Sequence, residues 1–167
     1  MKLICKKDHQ EILSQLLKPY EDIDIVLVEQ GLLYEGLSYQ FQYEHIDECI
    51  QYLNELKNKQ VISGYKNERI NLITINQIDY IEVLSRECYI HTMDEEFASK
   101  ERLFELEEKL QGTSFIRISK SIIVNINYID YLLPEANMRY GIYMKSKVKL
   151  TLSRKYMKDF KRKIQMR

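Results

Sequence analysis

The sequence has no tryptophan, two prolines and five glycines in 167 residues. The glycines stand apart, at 31, 36, 64, 112 and 141, so no glycine-rich loop is available to cradle a phosphate. His9, His45 and His91 are far from one another, and neither HExxH nor CxxC spacing gathers a metal. Cys5, Cys49 and Cys88 are odd in number and read as reduced thiols of a cytoplasmic protein. No run reaches the roughly 18–20 apolar residues of a membrane span, so no membrane insertion is expected. The opening MKLICKKDHQEIL carries Asp8 and Glu11 beside a short apolar patch, unlike a secretory signal. Asp22 and Asp24 stand where paired acids sometimes hold magnesium, but a solvated strand end is the plainer reading. His91 alternates with Tyr89 and Met93 and reads as a packed or surface residue rather than a base. The serines at 119, 121 and 153 have no evident histidine–acid partner. The expectation is a protein that is not an enzyme and carries no cofactor.

What is present is a soluble composition, 45% hydrophobic and 30% charged, with a hidden polarity. The formal net charge is zero, yet residues 112–167 hold 13 basic and 3 acidic side chains, a net of +10. Residues 1–60 and 61–111 each hold 6 and 11, a net of −5 apiece. A basic segment attracts polyanions from a distance, although pairing with the acidic segments would also account for it.

Residues 1–57 read as a small β-α-β-β-α unit. LICK at 3–6 is a short strand. Ile12, Leu13, Leu16, Leu17 and Tyr20 recur at helical spacing, and IDIVLVE at 23–29 is a β-branched run. LSYQFQY at 37–43 alternates with period two, and Ile46, Cys49, Ile50, Leu53 and Leu56 form a second helical stripe. LKNKQ at 56–60 reads as a linker. From 61 to 167 strands dominate: RINLITI, IDYIEV, CYIHTM, a stretch around Phe97, SFIRIS, YIDYLL, MRYGIYM and VKLTL. Met138, Tyr140, Ile142 and Met144 share one phase. Lys145-Ser146 marks a hairpin turn or part of a three- or four-residue loop. One helix, with Ser99 as N-cap, Leu103, Phe104, Leu106 and Leu110 inward and Gly112 as its stop, interrupts the strands. A last helix starts at Ser153 and repeats Tyr156, Phe160 and Ile164.

Three polar clusters fall at junctions between these elements. They are SREC at 85–88, RISKS at 117–121, and SRKY at 153–156 with Lys158 one helical turn on. Arginine and lysine bind phosphates and pair with guanine edges, serine hydroxyls add neutral phosphate donors, and loops on a rigid β scaffold can gather on one side. Together with the +10 segment, the clusters point to nucleic acid.

FIRISKSIIVNINYIDYL at 115–132, followed by a hairpin and LTLSRKYMKDFK at 150–161, resembles the LytTR DNA-binding domain. The upstream IDYIEVLSRECYIHTMDEEF and ERLFELEEKL match that family in order and spacing. The resemblance covers about residues 60–167, and its F-x-R-x-x-x-S-x-x-V-N pattern is highly specific. It implies an α+β chain: mostly antiparallel β, in short sheets with few helices, behind the small N-terminal unit. It implies a transcriptional regulator that binds double-stranded DNA by inserting loops into successive major grooves, with a second copy of itself acting on repeated sites.

Carried over by position, the DNA-binding residues are Ser85, Arg86, Glu87 and Cys88; Arg117, Ser119, Lys120 and Ser121; and Ser153, Arg154, Lys155 and Lys158. Lys120 and Lys155 are expected at base edges and the others at phosphates. Glu87 departs from a DNA-facing pattern, and either accepts from a cytosine amino group or points away. Asn125 is read as a structural residue that ties down local backbone. Many members carry a phosphoreceiver before this domain, but residues 1–57 hold two helices, too few for one, so no phosphorylation control is expected. The competing reading is a module whose basic face docks an acidic protein or an anionic membrane surface.

Overall fold

The computed structural model describes residues 1–136 and 139–165, and the chain divides into two compact units, Met1–Gln60 and Val61–Arg167. The first unit contains strand β1 (Lys2–Ile4), helix α1 (Gln10–Leu17), strands β2 (Val26–Glu29) and β3 (Tyr39–Phe41), and helix α2 (Ile46–Asn58). The three strands are parallel, in the order β1-β2-β3. Leu13, Leu17 and Tyr20 meet Leu27, Phe41, Cys49 and Leu53 in one core. Ile12 and Leu16, read from the sequence as buried, are 55% and 41% exposed. An eight-residue helix touches a three-stranded sheet only along its Leu13/Leu17 line, and the residues one place earlier lie off the contact.

The first three residues of the segment read as a linker, 56–58, are the end of α2. Its Lys57 is buried and donates to the carbonyl of Pro19 and to Asp22 Oδ1 at 3.3 Å. Asp22 is thus a partner for a buried ammonium. Glu29, at the end of β2, is also buried and accepts the Lys6 backbone N–H at 2.8 Å, with His9 Nδ1 at 2.9 Å. Burial pushes its carboxyl up, but those bonds outweigh it and hold it below the ordinary range.

The second unit is built on a seven-stranded antiparallel sheet ordered β5-β4-β8-β7-β6-β10-β9. Its strands are β4 (Val61–Lys66), β5 (Arg69–Thr74), β6 (Ile78–Leu84), β7 (Glu87–Thr92), β8 (Glu96–Ser99), β9 (Phe115–Arg117) and β10 (Ile122–Asn125). A three-stranded sheet follows: β11 (Ile129–Glu135), β12 (Arg139–Met144) and β13 (Lys149–Leu152). Helix α3 (Leu103–Lys109) lies between β8 and β9 in sequence, and α4 (Met157–Lys163) follows β13. A four-residue loop joins β12 to β13, with Met144 and Val148 joined by a 2.9 Å backbone bond. Met138, read as part of the β12 phase, lies outside the described residues.

Strand alternation divides the apolar residues between two cores. Ile81 of β6 and Ile123 of β10 pack with Ile62, Ile90, Phe97, Leu103 and Leu106. Their neighbours Tyr80 and Val124 pack with Ile118, Ile142, Met144, Leu152 and Phe160. The apolar run after RISKS is therefore held on both faces of the large sheet. Asn125 is buried, donates to Ile78 O at 2.9 Å and accepts the Asn127 N–H at 3.1 Å, the backbone-tying role read for it. His91 is packed, its ring stacked on Tyr80 at 4.1 Å. Ser99 does not cap α3, which begins four residues later; its hydroxyl accepts the Glu101 N–H at 3.1 Å while Glu105 accepts the Arg102 N–H at 2.6 Å.

Candidate functional site

The first polar cluster occupies the turn between β6 and β7. Leu84 pairs with Glu87, so Ser85 and Arg86 are its two central residues, with φ of 50° and 74°. Both values are left-handed, the geometry of a type I′ hairpin turn that ordinarily calls for asparagine or glycine. Both side chains are exposed. Glu87 begins β7, and its carboxylate accepts the Tyr89 hydroxyl at 2.6 Å. The acid is held along its own strand, which favours the outward alternative read for it.

Cys88 corrects the sequence reading. It is 6% exposed and belongs to the large core, with burial pushing its thiol up to about 11. The alternation that turns Glu87 outward turns Cys88 inward, so the residue is a packing group and not a contact for a ligand.

The second cluster is the loop from β9 to β10. Ile118 is fully buried and pins it from below. The Ile118 N–H donates to Ile122 O at 2.9 Å, and the Ser121 N–H donates to Ser119 Oγ at 3.1 Å. Arg117 is turned onto its own loop: Nε donates to Ser119 O at 3.0 Å, Nη2 to Lys120 O at 2.5 Å, and Nη1 to Glu107 of α3 at 2.6 Å. The expected phosphate-contact guanidinium thus has three of its five donors engaged within the fold. Lys120 is exposed and has no side-chain partner among the described residues.

The third cluster follows β13. Ser153 is the N-cap of a short 3-10 turn over Arg154–Tyr156 that leads into α4, but its hydroxyl makes no capping bond. Arg154, Lys155 and Lys158 are exposed, and Lys155 Nζ lies 5.7 Å from the Tyr156 ring centre.

Two backbone hydrogen bonds join the clusters. The Val83 N–H donates to Ser121 O at 2.8 Å, which ties the second loop to the strand feeding the Ser85–Arg86 turn. The Ser153 N–H donates to Ile118 O at 2.9 Å, which ties the same loop to the start of the third cluster. Three segments spread over some seventy residues of sequence therefore meet around one loop.

Other basic residues of the last third are engaged elsewhere. Lys145 donates to Asn127 O at 2.7 Å, Lys149 is paired with Glu135, and Lys163 donates to Thr113 O. Burial holds the Lys163 ammonium below its ordinary pKa. Glu135 is already counted in the +10, so of these contacts the Arg117–Glu107 pair alone offsets it, while Lys120 and Lys158 keep their charges unpaired among the described residues. The engagement of Arg117 is not encoded in spacing, because its partners come from α3 and from main-chain carbonyls. Among the described residues no cluster of three or more histidine, cysteine or carboxylate side chains could hold a metal ion, and no helix is long and apolar enough to cross a membrane.

Residues 68–165 match the LytTr DNA-binding domain. An uncharacterized HTH-type transcriptional regulator of Staphylococcus aureus strain MSSA476 is 34% identical over 121 residues, spanning 72% of this chain and 82% of that one. A counterpart in strain MRSA252 is 33% identical over the same shares. The solved structure of a LytTr DNA-binding domain from Bacillus cereus superposes with a TM-score of 0.60 at 23% identity, covering 64% of this chain and 97% of that one. That superposition speaks to fold. In the second unit here α3 and α4 are separated by five strands, so these two helices do not form the consecutive pair of a helix-turn-helix.

Proposed function

This chain belongs to the LytTr DNA-binding domain family of transcriptional regulators, and from that premise we propose that it reads double-stranded DNA sequence through the three joined segments, entering successive major grooves. Lys120 and Lys155 reach base edges. Arg86, Arg154, Lys158 and the serines at 85, 119, 121 and 153 meet phosphates. Two copies act together on repeated sites. The observation that carries the reading is the pair of backbone bonds, Val83 N–H to Ser121 O and Ser153 N–H to Ile118 O, which hold three polar segments on one support. A loop lacks the internal hydrogen bonds of a helix, and reading bases requires that its backbone be fixed by something else.

The test is selection of the full chain on a random duplex library at two salt concentrations. Enrichment of a defined site is expected, with affinity falling steeply as salt rises because bound counterions are released. Lys120→Ala and Lys155→Ala should each cost about 1–3 kcal/mol on the selected site and relax preference at one position. An equal loss on every sequence would make both lysines phosphate contacts. Absence of any enriched sequence would overturn the reading in favour of a basic docking surface.

A further inference from the structure

The outer edge of the seven-stranded sheet opposite the polar loops is β5. It carries Ile70 and Leu72 on one face, 64% and 69% exposed, beside Val61 of β4 at 51%. Asn71 and Ile73 turn the other way, and Ile73 is 4% exposed in the large core. Long, apolar edge strands are ordinarily blunted by a central charge, a proline or a bulge. The stretch Ile70-Asn71-Leu72-Ile73 has no charge and no proline, and its pairing with β4 runs without a register shift.

The phase of the free backbone groups follows from the turn. Asn67 and Glu68 have φ of 50° and 62°, and Lys66 pairs with Arg69 across them. A two-residue left-handed turn is closed by a hydrogen-bonded pair, and such pairs then recur at every second position of an antiparallel ladder. Gly64–Asn71 and Ile62–Ile73 are therefore the bonded pairs inside the hairpin. The N–H and C=O groups of Ile70 and Leu72 point away from β4, where β5 has no neighbouring strand among the described residues.

We infer that β5 is a self-association edge, and that its occupant is β5 of a second copy, antiparallel, about a two-fold axis at Asn71. In that register Ile70 of each copy faces Leu72 of the other. The two pairings use the outward backbone groups of both residues, giving four hydrogen bonds. The same register brings the four exposed Ile70 and Leu72 side chains onto one face. Backbone phase and apolar phase coincide on Ile70 and Leu72, and the alignment that pairs each of these residues with the other is the one centred on Asn71. Antiparallel order also carries Glu68 and Arg69 of the two copies to opposite ends of the joined strands, so no like charges meet. A closed two-fold contact of this kind consumes the edge instead of propagating it.

The inference deepens the reading that two copies act together, but its primary test involves no DNA. At the two-fold axis Asn71 faces its own counterpart as a non-hydrogen-bonded pair, with Cα atoms about 4.5 Å apart. That separation suits a disulfide. In the full chain with Cys5→Ser, which removes the partly exposed thiol, Asn71→Cys should form a covalent dimer on mild oxidation. Thr74→Cys, displaced from the axis, should stay monomeric. Sedimentation of the unmodified chain should show a reversible monomer–dimer equilibrium in the micromolar range, and Leu72→Lys should abolish it while leaving the thermal transition of the chain in place. Equal cross-linking at 71 and 74, or a monomer at every concentration, would overturn the inference. If the dimer forms and library selection finds no site, the edge stands and the DNA reading falls.

Discussion

Arg117 has its guanidinium between two carbonyls of the loop that follows it, with Glu107 balancing the charge. On the proposed reading its part in DNA binding is indirect: it sets the backbone from which Lys120 projects. Lysine at this position keeps the charge but offers a single ammonium where the planar fork holds three acceptors. Arg117→Lys is expected to cost about 1–2 kcal/mol on the selected site, with the salt dependence of binding unchanged. A slope lowered by one phosphate contact, with sequence preference intact, would show that Arg117 meets DNA directly. Asp79 allows a prediction with no DNA. It is fully buried, Ser146 donates to one carboxylate oxygen, and the other has no partner among the described residues. Burial pushes its carboxyl up, opposed by Ser146 and by the nearby His91. A folded-state pKa above the unfolded one gives stability that is whole below the unfolded value and is lost as pH rises through the folded one. Asp79→Asn should therefore resist urea better than the parent at pH 7 and lose that advantage at pH 3. At this scale Asn125 was legible from residue type and position, because it acts through its own side chain. Cys88 and Arg117 were not, since burial and partners are set by strands distant in sequence.

The Ser85–Arg86 turn places two residues with a Cβ in left-handed conformations. Backbone strain of this kind tends to persist where a site needs the side chain. Arg86→Gly should raise stability by about 0.5 kcal/mol, the relieved clash being partly offset by unfolded-state entropy. Thermal denaturation reads that gain, and a DNA titration should show weaker binding with the salt slope reduced by about one. A stabilised variant with unchanged binding would remove Arg86 from the contact set. Among the elements, most strands of the second unit were readable from alternation, and β4 was not. Its outward face holds Val61 and Tyr65 and its inward face holds Ile62 and Gly64, so polar and apolar residues do not alternate. Gly64 belongs there because a Cβ would come within 2.6 Å of Ile73 and 2.7 Å of Phe97. That close approach is invisible before the strands are paired. The α1 stripe was over-read for the converse reason: periodicity identifies an apolar side but not how wide a neighbour covers it.

At the scale of the whole molecule, the cores of the second unit are built, among the described residues, from Ile62 onward, and the first unit has a core of its own. Residues 61–167 alone should fold cooperatively and select the same DNA sequence as the full chain, judged by denaturant unfolding and library selection. A fragment that folds but selects a different site would show that the first unit contributes to reading. The β-α-β-β-α order of the first unit was legible because it follows from local pattern, and the mixed α+β class because the family resemblance implies it. Sheet order was not, and it is sheet order that gathers the polar segments: β10 pairs with β9 on one side and with β6 on the other, while β13 delivers Ser153 to Ile118.

That last bond has a consequence for how the protein is made. Ser153 supplies a support for a loop whose own residues are synthesised more than thirty positions earlier. Non-local pairings of this sort form late, after the intervening chain has closed. A ribosome-bound chain that has not yet made β13 and α4 holds all of RISKS but not the backing that fixes it. On the proposed reading, a copy truncated before Ser153 should grip DNA less firmly than the full chain, because the RISKS loop then lacks that support.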